Sequence, residues 1–431
     1  MSGSNAAVRP DAVSAPSGPR DQIAASDHVL SQVVREQAGR VVAALAASLG
    51  SLDLAEESVA EAIEEALRAW RKGGLPQNPG AWLTQAARHN ALDRLRREKT
   101  YRTKLTDMAL SIDSKSAAPG EPGADPSREA DERLPLLFGC CHPALAPDAQ
   151  LALTLRAVCG LTTAQIARAT FSTEPATAQR IVRAKRKIGA TGIPLQIPES
   201  TERAERLDVV LTIVSVMYNE AHFVEGGSAA ADRDLADDAL WLADVVAAAL
   251  PGEAEAHGLL SLLLFHRARE SARSVGGELV LLVDQDRSRW DRAHIARAHI
   301  ELERAARLRR PGRWQLQAAI AACHADAETA AATDWPQVLA LYDLLLGHDP
   351  SPVVRLNRAV ALDQVGAHVE ALTELDALEG ALSRSHLWHA VRAHVLRRLG
   401  RDDEALAANL RALDLTANEA ERRLLAARTG R

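Results

Sequence analysis

At 431 residues the chain is too long for one hydrophobic core, so two to four domains are expected. Aromatics make up only 3% of it while Ala, Leu, Arg and Glu dominate, a composition that leans helical because Ala and Leu lose little side-chain freedom in a helix. The net charge of −6 hides an asymmetry: residues 1–200 carry 24 basic and 22 acidic side chains, and residues 201–431 carry 27 and 35, so a polyanion partner suits the first half and not the second. No stretch approaches the roughly 20 apolar residues of a membrane span, and the best, Val209 to Tyr218, is about half that length. The first 23 residues have no apolar core region and read as a disordered tail rather than a signal peptide. Cys140, Cys141, Cys159 and Cys323 form no CxxC pair, which fits reduced thiols in the cytoplasm.

Residues 24–104 read as consecutive amphipathic helices. Asp53 to Trp70 is an acidic helix bearing Asp53, Glu56, Glu57, Glu61 and Glu64. A turn with Gly73, Gly74 and Pro76 leads to Gln77 and Asn78; Asn78 is placed to cap a helix whose first turn holds Pro79. That helix has an apolar stripe through Trp82, Leu83, Ala86, Ala87, Leu92 and Leu95. Its other side carries Arg88, His89, Asn90, Arg94, Arg96 and Arg97. Residues 105–132 are rich in Pro, Gly, Ser and Asp, with seven acids against two bases from 107 onward, and read as a flexible acidic linker.

Residues 133–190 form a second helical unit. Cys140-Cys141-His142 invites a metal reading, but structural zinc sites space their ligands more widely, and small core residues are the preferred assignment. From Leu161 to Ile188 a short helix capped by Thr162 or Thr163 precedes a break at Ser172–Glu174, with Pro175 at the start of a second helix. The second helix mixes Ile181, Val182 and Ala184 with a basic outer face, the pattern of a helix-turn-helix. Ala178, Gln179 and Arg180 near its start would reach base edges; Arg183, Lys185 and Lys187 would meet phosphates.

A Pro-containing joint at 191–201 leads into a long helical region, 202–431. Ala359 and Ala393, Gly366 and Gly400, Ala371 and Ala405, and Leu372 and Leu406 each lie 34 residues apart, the tetratricopeptide (TPR) period, clearest over 335–425. Val338, Tyr342, Leu345 and Pro350 fit part of an earlier unit. Asp284 to Arg292 is dense in acids but lacks the Gly and terminal Glu of a calcium loop; its arginines predict an ion-pair network. There is no phosphate-binding Gly-rich loop, no GxSxG and no HExxH, and no cofactor, metal or catalytic residue is expected.

Three segments carry a resemblance. Ile181-Val182-Arg183-Ala184-Lys185-Arg186-Lys187-Ile188 is similar to region 4 of bacterial sigma factors, departing at Ala176 and Thr177, where that family more often has Thr and a bulkier apolar residue. Ala81-Trp82-Leu83, Ala87-Arg88, Ala91, Asp93 and Leu95-Arg96-Arg97 resemble region 2 of the extracytoplasmic-function group. Leu281 to Asp291, Trp314 to Ile320, and Asp349 to Ala361 resemble the helical domain fused to one subgroup of these factors.

The resemblance implies an all-α protein: regions 2 and 4 joined by a linker, then a TPR-like domain. It implies an alternative sigma factor, not an enzyme, that binds the β′ clamp and β flap of core RNA polymerase and directs initiation at promoter DNA. The helix-turn-helix would read the −35 element. Gln77, Asn78, Trp82, Arg88, His89, Arg94, Arg96 and Arg97 would engage the −10 element, with one base flipped into the preceding loop. The acids of the 53–70 helix would dock on the polymerase, and the repeats would contact a protein partner or the sigma domains. The other readings are a helix-turn-helix regulator with a TPR-type sensor that does not replace sigma, and an enzyme housed in 202–330, for which no motif argues.

Overall fold

Apolar residues recurring every three or four positions build the helices, and polar caps set their ends. The computed structural model describes residues 38–101, 133–170, 172–221, 235–275, 278–416 and 419–429. The expected tail (1–23) and acidic linker (105–132) lie outside these. The architecture is helical, as the composition predicts, and the chain divides into two compact units, 1–213 and 214–431. No helix among the described residues is long and apolar enough to cross a membrane.

In the first unit, residues 38–49 form α1. Ser51 then caps α2 (Leu52–Gly73), its hydroxyl accepting from the Leu54 amide at 3.3 Å. Leu52, Ala55, Val59, Ala62, Ala66 and Trp70 form the buried stripe of α2. The helix ends at Gly74, whose φ of 81° is left-handed backbone that glycine adopts without a Cβ penalty. α3 (Pro79–Tyr101) begins at Asn78, whose Oδ1 accepts from the Ala81 amide at 3.0 Å, and packs back on α2 through Leu83, Ala87 and Ala91. Trp70 and Trp82 meet edge to face at the turn, centroids 5.6 Å apart.

A second core in the same unit joins α4 (Arg133–Cys140), α5 (Pro147–Ala157), α6 (Thr163–Ala169) and α7 (Glu174–Thr191). Leu134, Leu136, Leu137, Phe138, Leu153, Leu155 and Ile166 are fully buried, each contributing about 1.5–3 kcal/mol by leaving water. Cys140, Cys141 and Cys159 are buried thiols; burial pushes Cys140 well up and Cys141 to about 12, so they are inert core residues. α8 (Ser200–Ala221) follows, and in its first turns Arg206 donates to the Phe138 carbonyl at 2.8 Å.

In the second unit, α9 (Leu235–Ala249) packs on α10 (Ala254–Ala268), and α10 is enclosed by α11 (Arg292–Arg307) and α12 (Arg313–Asp326). The backbones of α10 and α12 approach so closely that a Cβ on Gly258 would lie 2.6 Å from the Gln315 amide nitrogen. Both Glu255 carboxylate oxygens accept from the first amides of α12, Trp314 at 2.9 Å and Gln315 at 3.1 Å. Between α10 and α11 lies a two-residue ladder, β1 (Ser274–Val275) against β2 (Glu278–Leu279). Two short 3₁₀ turns at Leu282–Asp284 and Arg287–Arg289 follow it.

The remaining helices are α13 (Trp335–Leu346), α14 (Pro352–Gln364), α15 (His368–Asp376), α16 (Glu379–Leu382), α17 (His386–Arg398), α18 (Asp402–Leu415) and α19 (Glu419–Thr429). α14 and α17 begin 34 residues apart, and so do α15 and α18, so the period read in the sequence is a repeated helix pair. Ala359, Ala371, Ala393 and Ala405 are buried where these helices touch. Gly366 and Gly400 turn the chain between them with φ of 88° and 71°. The repeat loosens at its last matched pair: Leu372 is buried, Leu406 is exposed.

The acidic segment 284–292 corrects an expectation. Instead of pairing with the neighbouring arginines, Asp286 caps a turn by accepting from the Ser288 amide and hydroxyl, and Asp291 caps α11 by accepting from Ala293 and His294. Arg287 donates to the carbonyls of His324 and Ala327 and stacks on Trp290. The segment does lock onto α12, but through carbonyls rather than carboxylates.

Candidate nucleic-acid interface

The helix-turn-helix is built from two caps. Thr162 and Gln165 form a reciprocal capping box: the Gln165 amide donates to the Thr162 hydroxyl at 3.2 Å, and the Thr162 amide to Gln165 Oε1 at 2.8 Å. Thr173 caps α7, so Glu174 is its first residue and Pro175 its second. Thr177, Ile181, Ala184 and Ile188 face inward at helical spacing. The opposite side, Ala178, Gln179, Val182, Arg183 and Arg186, is exposed. Val182, 52% exposed, belongs to this outer face, where an apolar side chain suits a thymine methyl. Its place was not legible among Ile181 and Ala184, because an apolar residue beside a buried one does not reveal the helix phase.

The six expected −35 residues divide. Ala178, Gln179 and Arg183 are open. Arg180 lies 3.6 Å from Asp148, Lys187 donates to the Ala144 carbonyl, and Lys185 pairs with Glu56 and, at 3.3 Å, with Asp53. Lys185 is only 13% exposed, held against α2 by Glu56, 129 positions away, and by Asp53. Thr177, where the sequence departs from the region-4 pattern, is fully buried, and its hydroxyl has no partner among the described residues.

In the α2–α3 hairpin, Gln77 and Asn78 are exposed in the turn, Trp82 is half-buried at its mouth, and Arg88, His89, Arg96 and Arg97 point to solvent. Arg96 also lies 3.3 Å from Asp93. Arg94 instead turns back onto α2, paired with Glu61 at 2.6 Å and with Glu57; its hydrogen bond to Glu61, with the charges of both acids, holds its pKa above the usual value. Of the five acids expected to meet polymerase, Asp53 and Glu56 hold Lys185, Glu57 and Glu61 hold Arg94, and Glu64 lies 3.4 Å from Arg68. Two bases expected to touch DNA are thus neutralised by four acids expected to touch protein. No group of three or more His, Cys, Asp or Glu is placed to hold a metal among the described residues.

Comparison with known proteins matches residues 33–101 to sigma-70 region 2 and residues 136–188 to sigma-70 region 4. Residues 206–306 match a family of unknown function (DUF6596). An uncharacterized protein of Rhizobium meliloti is 40% identical over 373 residues, covering 86% of this chain and 88% of its own length. The chain belongs to the sigma-70 family. Its two sigma regions followed by a helical domain are those of an extracytoplasmic-function-type factor. The crystal structure of yeast Tom70 is similar at 13% identity and a TM-score of 0.31, covering 96% of this chain and 86% of that one, too low to carry an argument. In this sigma chain, region 2 contains the α2–α3 hairpin and region 4 contains α4 to α7, so both basic clusters fall inside matched regions; the two regions support a sigma-factor-like role in transcription initiation.

Proposed function

We propose that the chain binds core RNA polymerase, reads a −35 element with the outer face of α7 and a −10 element with the 74–78 turn and α3, and so directs initiation, with residues 214–431 regulating it. The supporting observation is the sorting of α7: Thr177, Ile181, Ala184 and Ile188 inward, with Gln179, Val182, Arg183 and Arg186 displayed on one open face. Arg183 and Arg186 supply phosphate or guanine contacts, and Gln179 and Val182 supply base-edge contacts. Arg88, His89, Arg96 and Arg97 offer the matching basic surface on α3. The pairs of Lys185 with Asp53 and Glu56 are part-exposed, so polymerase and DNA compete with them at modest cost. Engagement of α2 by polymerase thereby releases Lys185 to DNA.

The reading is tested by binding of the full chain to core polymerase in the absence of DNA. Stoichiometric complex formation, weakened by Glu57→Lys with Glu61→Lys, is the expected result. A chain that binds promoter DNA yet ignores core polymerase is instead a helix-turn-helix regulator.

A further inference from the structure

The three C-terminal segments singled out in the sequence have no part in the promoter reading, yet they converge. Leu282 and Trp290 from the first, Gln317 and Ile320 from the second, and Asp349, Val353 and Val354 from the third line one open cavity of about 470 Å³ within the second unit. That is the size of a small-molecule site. One wall is apolar, through Leu262, Phe265, Ile320 and Leu345.

The polar wall sets the Arg269 guanidinium and the Trp290 indole beside Gln317, Asn357 and Asp349. Arg269 lines this cavity and a neighbouring one of about 520 Å³, where Arg273 joins it. No carboxylate pairs with either guanidinium among the described residues, and Nη1 of Arg273 is buried with no hydrogen-bond partner. Burial and the nearby Arg273 charge hold the Arg269 pKa down to about 10. The acids of the neighbouring cavity are engaged elsewhere: Asp363 with His368 at 2.7 Å and His394 at 3.2 Å, Glu421 with His386 at 3.0 Å. Asp349, on the first cavity's rim, accepts from the Ser351 amide at 3.0 Å. The buried Trp290 indole N–H also has no acceptor among the described residues. Burying cationic donors without counter-charge is costly, and a bound anion removes that cost.

We propose that this cavity binds a small amphipathic organic anion, its charged group held by Arg269 with the Trp290 N–H, and its apolar body against Phe265, Ile320 and Leu345. The site stands independently of the promoter reading, because its occupancy is measured without DNA or polymerase.

The probe is 8-anilinonaphthalene-1-sulfonate, titrated into the full-length chain by fluorescence. Its neutral analogue N-phenyl-1-naphthylamine runs alongside. Expected are saturable single-site binding of the sulfonate, at least tenfold weaker binding in Arg269→Gln, partial recovery in Arg269→Lys, and little change for the neutral analogue. Val353 is exposed at the cavity rim, so Val353→Trp obstructs the mouth without disturbing the core, and abolishes binding of both probes. Non-saturable binding, an Arg269→Gln titration matching wild type, or full binding by Val353→Trp overturns the proposal.

Discussion

Arginines pair with carboxylates in both units, yet a few basic side chains find different partners in each. In the sigma unit, Arg94 and Lys185 find carboxylates on α2, in part-exposed pairs that water and salt weaken. In the second unit, Arg287 ends on two backbone carbonyls, while Arg269 and Arg273 line cavities with no carboxylate paired to them among the described residues. Part-exposed pairs are weak, which suits surfaces proposed to part for polymerase and DNA. Part-buried guanidiniums without a carboxylate partner leave room for a bound anion, which suits a ligand site. Charge type alone does not assign a role; the partner that the charge finds does.

The largest expected effect tests how tightly the second unit is built. Gly258→Leu forces a side chain into the α12 backbone and destabilises residues 214–431 by about 3 kcal/mol or more. Thermal melts and limited proteolysis should show cleavage confined to that unit, while α2–α7 remain protected. Loss of both units together would erase the contrast.

Next in size is a pH effect. Burial, with Arg269 and Arg287 nearby, lowers the His324 pKa to about 4. Its unfolded value is about 6.5, so between these values the unfolded chain takes up a proton that the native imidazole refuses. The stability it confers is complete above pH 6.5, falls as pH drops toward 4, and is about 2 kcal/mol lower at pH 5 than at neutral pH. Urea melts of His324→Gln should lack this slope; an unchanged slope would place the titration elsewhere.

A smaller effect of opposite sign is expected in region 4. Thr177→Val removes a buried hydroxyl without changing shape and should stabilise the sigma unit by about 1 kcal/mol in urea melts. Destabilisation would mean that the hydroxyl has a partner. The smallest effect concerns the exchangeable pairs. A double-mutant cycle of Lys185→Met with Glu56→Gln should give a coupling of about 1 kcal/mol or less, shrinking as salt rises. A large, salt-insensitive coupling would make that contact permanent rather than exchangeable.

Features governed by short-range chemistry were legible in the sequence. Asn78 as a cap and the break before α7 depend on neighbours within one or two turns, and the spacing of α14 with α17 and α15 with α18 was legible because the same residue types recur every 34 positions. What depended on distant partners was not. Lys185 meets Glu56 across 129 residues, Arg287 reaches carbonyls about 40 residues on, and the cavity gathers side chains from α10 to α14. The choice between Thr162 and Thr163 as cap was resolved only by the reciprocal bonds to Gln165. Of the two faces of α7, composition showed that one is basic, but only packing showed that Val182 shares it.

The most direct test of the central claim is run-off transcription with purified core polymerase and a library of promoter fragments, with and without the full chain. The account predicts transcripts that require the chain and share a −35/−10 pair, with initiation lost in Arg183→Ala combined with Arg186→Ala. Transcripts that appear only when another sigma factor is supplied would contradict it.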